Sequence, residues 1–210
     1  MKLRNLAAAG ALAAFAALPA SAAVITLDFE GVGDLNAVGN FYSGLGIEFS
    51  PETLAVVDAD AGGSGNFANE PSSDTVMFFL DANNAILNYA AGFQTGFSFF
   101  YSSSVAAVVS VWDGLNGTGN LLGQIALLGD GVNGPGDPTG QFATWNAGGV
   151  AFNGTALSIN FGGTANQTAF DNITFGSATP SAVPVPAAAP LLLGALDGLG
   201  LLRRRRRAAV

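Results

Sequence analysis

The stretch AFDNITFG, residues 169–176, decides the fold class. It is a short run of aromatic and β-branched residues closed by a glycine, too brief for a stable helix and rich in strand formers. Successive strand side chains point to opposite faces, so Ile173 and Phe175 are expected to share a face with Asp171. A carboxylate on a core-facing side needs a partner, because an unpaired buried charge is costly.

Outward from that stretch the same pattern repeats. Apolar runs of four to nine residues are broken by Gly, Asn, Asp and Ser. Strands are predicted at 24–30, 46–50, 54–57, 76–80, 85–89, 96–102, 106–112, 121–128, 144–152, 157–161 and 169–175. No long stretch carries a helical period. The pattern predicts an all-β fold, a two-sheet β-sandwich of jelly-roll type, with a closed barrel as the alternative. An outer-membrane barrel fits less well, since the runs are short and many are apolar on both faces. In DGLNGTGN, residues 113–120, Asn and Gly supply the positive φ of a tight reversal.

Charge narrows the chemistry. The seven basic residues are Lys2, Arg4, Arg203, Arg204, Arg205, Arg206 and Arg207, and there is no His or Cys. Of the 15 acidic residues all but Asp197 lie within residues 23–182, which therefore hold 14 acids and no basic side chain. Nucleic acid is excluded as a partner of such a body. Disulfides, thiolate nucleophiles, zinc sites, a Ser-His-Asp triad and a lysine Schiff base are excluded by composition. Paired carboxylates for glycoside hydrolysis and oxygen-ligated Ca²⁺ survive.

The two ends read as addresses. Residues 1–22 have a charged start, an apolar middle at 6–18 and the small-x-small site Ala20-Ser21-Ala22, the pattern of a secretory signal peptide. The domain follows at 23–176 and a linker at 177–182. Near the C-terminus, Val183-Pro184-Val185-Pro186-Ala187 precedes an apolar segment at 187–202 and then the five arginines. As a helix that segment spans about 24 Å, short of the roughly 30 Å hydrocarbon core. Asp197 within it costs about 2.5–3.5 kcal/mol on insertion scales. It suits a temporary stop better than a permanent anchor. The arginines place the C-terminus in the cytoplasm and the body across the membrane.

This three-part tail, residues 183–207, resembles the sorting signal of PEP-CTERM proteins, closest to the Val-Pro-Leu-Pro-Ala variant with Val185 in place of Leu. Asp197 departs from the family's uninterrupted apolar helix. The resemblance implies export through the secretion translocon and handling by an exosortase, a membrane-embedded processing enzyme. It implies transient inner-membrane anchoring and delivery to the cell envelope, cell surface or extracellular matrix. A single-pass tail anchor is the alternative. The strands AFDNITFG and LDFEG carry a looser, whole-domain likeness to secreted sandwich proteins with this tail.

Asp28 and Glu30 alternate with Leu27 and Phe29, and the first and last strands of a sandwich commonly lie close. Asp28, Glu30 and Asp171 are therefore expected to meet at a structural Ca²⁺ site, with backbone donors around Asp171 as the alternative. In DADAGGSGN, residues 58–66, oxygen-bearing side chains recur without the closing Glu of an EF-hand, which reads as a polar loop. Trp112, Trp145 and Tyr101 are the leading candidates to stack on sugar rings, with Tyr42 and Tyr89 behind them, and core packing as the alternative. The N-x-T triplets at Asn116, Asn153, Asn166 and Asn172 read as turns and strand ends. The function expected is non-enzymatic, with possible classes being polysaccharide binding, a structural or adhesive matrix role, or, in third place, a carboxylate-only glycoside hydrolase.

Overall fold

The computed structural model describes residues 24–132 and 140–181. The signal peptide, the sorting motif Val183 to Ala187, the apolar segment and the arginine cluster lie outside the described residues. Among the described residues no helix is long and apolar enough to cross a membrane.

Each predicted run forms a strand. They are β1 (Ile25–Leu27), β2 (Ile47–Phe49), β3 (Leu54–Val57), β4 (Thr75–Phe78), β5 (Asn84–Phe93), β6 (Gly96–Ser103), β7 (Ala107–Trp112), β8 (Leu121–Leu127), β9 (Asn146–Ala151), β10 (Ala156–Gly162) and β11 (Thr168–Phe175). They build two antiparallel sheets. The first has the order β3-β4-β11-β6-β9, with β1 also pairing with β11, and the second the order β2-β5-β10-β7-β8. The sheets enclose a phenylalanine-rich core. Phe97, Phe99, Phe161, Phe170 and Phe175 are fully buried. Edge-to-face contacts link them, with Phe161–Phe170 at 4.9 Å and Phe99–Phe170 at 5.4 Å between centroids, a geometry the ring quadrupole favours.

Several strands of the first sheet are apolar on both faces because both faces are covered. Ala55, Met77 and Phe170 point into the main core. Their neighbours Val56, Val76, Phe78 and Ala169 point outward into a second cluster, closed by Phe67 and Phe142. The segments carrying those two rings run side by side, bridged at Phe67 and Phe142.

The face assigned to Asp171 from alternation is corrected. The pairing of β11 with β6 slips between Asp171 and Thr174, and Asn172 adopts φ 48°. One extra residue in a strand reverses the alternation beyond it. Phe170, Ile173 and Phe175 thus all reach the main core, and Asp171 falls on the opposite face. On its other edge β11 is paired by β4 at Ala169 and Phe170 and by β1 at Ile173 to Phe175. Asp171 and Asn172 sit in the gap between those two partners.

Asn116, Asn166 and Asn172 all have positive φ, so three of the four N-x-T triplets do mark turns or a bulge. In the reversal 113–120, Asp113 accepts from the Asn120 backbone N–H at 2.6 Å and from Asn120 Nδ2 at 2.8 Å. Asn116, Gly117 and Gly119 carry its positive φ values.

Residues 177–181 lie back on the first sheet. Ser98 Oγ donates to Ser177 O at 2.9 Å, and the Ser181 N–H donates to Thr174 Oγ1 at 3.1 Å. A Cβ at Gly149 would stand 2.0 Å from Ala178 O, so the missing side chain is what seats this strap. Gly149→Val is therefore expected to destabilise the protein by about 1–3 kcal/mol. Thermal unfolding should show a midpoint lower by several degrees, and an unchanged midpoint would mean the strap is not seated there.

Candidate functional site

The second apolar cluster on the first sheet is incompletely roofed, and a cavity of about 270 Å³ opens there. That is just under the roughly 300–1,000 Å³ common for small-molecule sites. Val56, Phe78 and Ala169 line it from the sheet, and Phe67 and Phe142 from the covering segments. Leu35 and Leu80 stand at its rim, 47% and 40% exposed. Its polar atoms come from Ser64, Asn66, Asn166 and Thr168. Among the described residues, none lining it carries an ionisable side chain. Such a lining offers aromatic and aliphatic surface together with amide and hydroxyl groups, and nothing that would attract or repel a charge directly.

The loop forming one wall is held by a carboxylate. Asp34 Oδ1 accepts from the backbone N–H of Val57 at 3.0 Å and of Ser64 at 3.2 Å, and Asp34 Oδ2 accepts from Ser64 Oγ at 2.6 Å. Burial acts to raise its pKa, but the Ser64 hydroxyl and the two N–H groups outweigh it and hold the group below its ordinary value. Within the same loop Gly63 N donates to Asp58 O and Gly65 N to Val57 O, both at 2.8 Å. Residues 58–66 are thus a folded polar loop that delivers Ser64 and Asn66 to the cavity.

Of the expected calcium ligands Asp28, Glu30 and Asp171, the carboxyls of Glu30 and Asp171 are held to the segment 72–75 at the start of β4, while that of Asp28 bonds locally to the Glu30 N–H. Asp171 Oδ2 accepts from the Ser72 N–H at 2.7 Å, and its Oδ1 from the Asn172 N–H at 2.6 Å and Ser72 Oγ at 2.8 Å. Glu30 Oε1 accepts from the N–H groups of Asp74 and Thr75, each at 2.9 Å, and Oε2 from Thr75 Oγ1 at 3.0 Å. Asp28 Oδ1 accepts from the Glu30 N–H at 3.3 Å. Among the described residues no three acidic side chains form a group able to hold a metal ion.

Burial pushes the Asp171 carboxyl up to about 7, against the lowering effect of its Ser72 and Asn172 hydrogen bonds, and the Glu30 charge adds to the rise. Glu70 also rises to about 7, through burial and the charges of Asp58, Asp60 and Asp74. Burial raises the Tyr42 phenol; its bond from the Phe29 N–H opposes this, and the charges of Asp28, Asp171 and Glu30 reinforce it.

The stacking aromatics fall differently from expectation. Tyr101 is 3% exposed. Its hydroxyl accepts from the Leu128 N–H at 3.0 Å and its ring meets Phe99 edge-on. It has no free face, so the expectation is corrected to core packing. Trp145 is half-buried, donates from Nε1 to Ala68 O at 3.0 Å and meets Phe67 edge-on. Trp112 is half-buried, and its Nε1 is enclosed without an acceptor. The cavity's rings are instead Phe67, Phe78 and Phe142.

No protein-family model matches the chain, and no curated protein sequence matches it. Two solved structures resemble it in fold. One is a family 6 carbohydrate-binding module, with a TM-score of 0.36 and 17% identity, covering 60% of this chain and 82% of the module. The other is the catalytic domain of a GH87 alpha-1,3-glucanase in complex with nigerose, with a TM-score of 0.35 and 12% identity, covering 65% of this chain and 30% of that one. At these TM-scores neither likeness bears on the site.

The carboxyl of Asp171 gives the protein a pH dependence. Its unfolded value is about 3.9 and its folded value about 7. Between the two, the folded state holds a proton that the unfolded chain has lost, so stability falls as pH rises. Thermal unfolding in EDTA should show a midpoint that drops between about pH 4.5 and 7.5. Asp171→Asn should flatten that slope, and an unaltered slope would remove the assignment.

Proposed function

We propose that this chain is a secreted, surface-routed, non-enzymatic β-sandwich protein of jelly-roll type that binds neutral carbohydrate in the cavity beside Phe78. The observation that carries the reading is the lining: phenyl and aliphatic groups with Ser64, Asn66, Asn166 and Thr168, and no ionisable side chain among the described residues. Sugar rings present C–H faces to apolar surface and hydroxyls to amides, which are the two kinds of group on offer. A glycoside hydrolase needs two carboxylates facing each other about 5–9.5 Å apart across the substrate. Asp171, whose pKa is raised as an acid catalyst's would be, is fully buried, and binding is the better-supported activity.

The destination is proposed from the ends of the chain. The signal at 1–22 supports export through the translocon, and the tail at 183–207 supports exosortase processing and delivery to the cell envelope or matrix. Contact with the membrane is then limited to the apolar tail before processing.

A glycan array followed by calorimetry tests the sugar reading. Neutral mono- and oligosaccharides should bind, and acidic ones should not. Leu80→Arg places a charged side chain at the rim and should weaken binding at least about tenfold, a loss of about 1.4 kcal/mol. Asn66→Ala should weaken it several-fold. An array with no neutral-sugar ligand would discard the reading and leave a structural or adhesive matrix protein.

Calcium on Asp28, Glu30 and Asp171 is a separate proposal, supported by the attachment of Glu30 and Asp171 to one segment, the closeness of Asp28 to Glu30, and the lack of a cationic side chain in residues 23–182 to neutralise them. It requires an exchange of N–H and hydroxyl donors for the ion. Calorimetric heat on CaCl₂ addition and a melting midpoint lowered by EDTA would support it. A midpoint indifferent to both would remove it.

A further inference from the structure

The outer surface of the second sheet lies on the far side of the molecule from the cavity. Along its four strands from β5 to β8, Leu87, Ile159, Val111 and Ile125 point into the core. Between them the alternate residues Ile86, Asn160, Ser110 and Gln124 point outward. The register aligns these four in one row: Asn160 lies opposite both Ile86 and Ser110, and Ser110 opposite Gln124. At about 4.8 Å between strands the row crosses about 14 Å of surface.

Two bonds fix the polar groups of the row. Asn84 Nδ2 donates to Asn160 Oδ1 at 3.3 Å, and Gln124 Nε2 donates to Ser110 Oγ at 3.4 Å. Gln124 is exposed, and Asn160 is half-buried with its Nδ2 3.8 Å from where a Cβ at Gly117 would stand. None of the 14 acids of residues 23–182 belongs to β5, β7, β8 or β10.

One side of the row is walled. The reversal 113–120 folds over the sheet, and a Cβ at Gly117 would stand 3.6 Å from Ile86 Cδ1 and 3.8 Å from Asn160 Cβ. The wall is tied down. Asn88 Nδ2 donates to Asn116 Oδ1 at 2.7 Å, the Asn116 N–H donates to Asn88 Oδ1 at 2.8 Å, and the Gly117 N–H donates to Ser158 Oγ at 2.9 Å. The result is a straight step, with the row as its tread and the turn as its riser.

We infer that this step is a second binding surface, which seats an extended, neutral polysaccharide chain laid across the strands. The inference rests on the carbohydrate reading and adds the class of ligand, a polymer rather than a single sugar. Amides and hydroxyls both donate and accept, as a polyol requires, and Ile86 with the exposed Val108 supplies apolar surface for C–H faces. A charged polymer gains nothing from an uncharged row, and an anionic one is repelled by the body's 14 carboxylates. That one-sign charge also opposes a second copy of the chain at this surface.

Affinity electrophoresis of the purified full chain tests it, with gels containing a neutral linear β-glucan or, as the anionic control, alginate. The β-glucan should retard the chain and alginate should not. The exposed-face double variant Ser110→Asp with Gln124→Glu should lose at least tenfold in β-glucan affinity while keeping the wild-type circular dichroism and melting curve. Should the double variant misfold, Asn160→Ala is expected to lose several-fold. In the Leu80→Arg background, the face substitutions should still reduce polymer retardation. Equal retardation of wild type and the folded face variants overturns the inference, as does retardation by alginate alone. So does sedimentation showing that the face variants abolish a dimer. Loss of polymer binding in Leu80→Arg but not in the face variants assigns the glycan to the cavity, so the step fails and the cavity stands. Retention of polymer binding with no sugar at the cavity does the reverse.

Discussion

Every carboxylate in residues 23–182 lives without a cationic side chain. Ion pairs within the body are therefore closed to this protein, and each buried or half-buried acid must be answered by N–H and O–H groups. The chain uses that necessity to shape its loops. Asp34 pins the loop at 57–64, Glu30 pins 74–75, Asp171 pins Ser72 and Asp113 closes its own reversal. At Asp34 and Asp113, whose pKa values their donors hold down, the acceptor is an ionised carboxylate and the bonds are stronger than a neutral pair. Where burial outweighs the donors, as at Asp171, the carboxyl holds its proton to about pH 7.

A consequence is a separation of labour across the surface. Most of the described acids work as staples at loops, and strands β5, β7, β8 and β10 of the second sheet carry none. Among the described residues, neither the lining of the cavity beside Phe78 nor the row Ile86, Asn160, Ser110 and Gln124 includes an ionisable side chain. Both combine apolar floors with amides and hydroxyls. A molecule of this kind discriminates against anionic ligands through its overall field and favours neutral ones through local contacts.

Much of this was legible in the sequence. Runs such as LAVV at Leu54–Val57 and AVVSVW at Ala107–Trp112 have a strand composition that no competing signal overrides, and they fold as read. The reversal at 113–120 was equally plain from its Asn and Gly. Alternation failed at one place, β11, where Asn172 enters the left-handed region and shifts the register. Asp-Asn inside a strand, two poor strand formers together, was the available signal. The cavity was not legible because Phe67, Phe78 and Phe142 come from segments far apart in sequence that meet only in the folded chain. Tyr101 was misplaced because an aromatic in a strand gives no sign of which sheet face is covered.

The central claim is that charge builds this protein and neutral surface binds for it. The direct measurement is an amide NMR titration with a neutral oligosaccharide. The account predicts shifts at Ser64 to Phe67 and Thr168, and at Ser110, Gln124 and Asn160 with the longer oligomers, while Asp28, Glu30, Asp74 and Asp171 stay still. Shifts concentrated on those four acids and their donors, with the neutral surfaces unmoved, would contradict it.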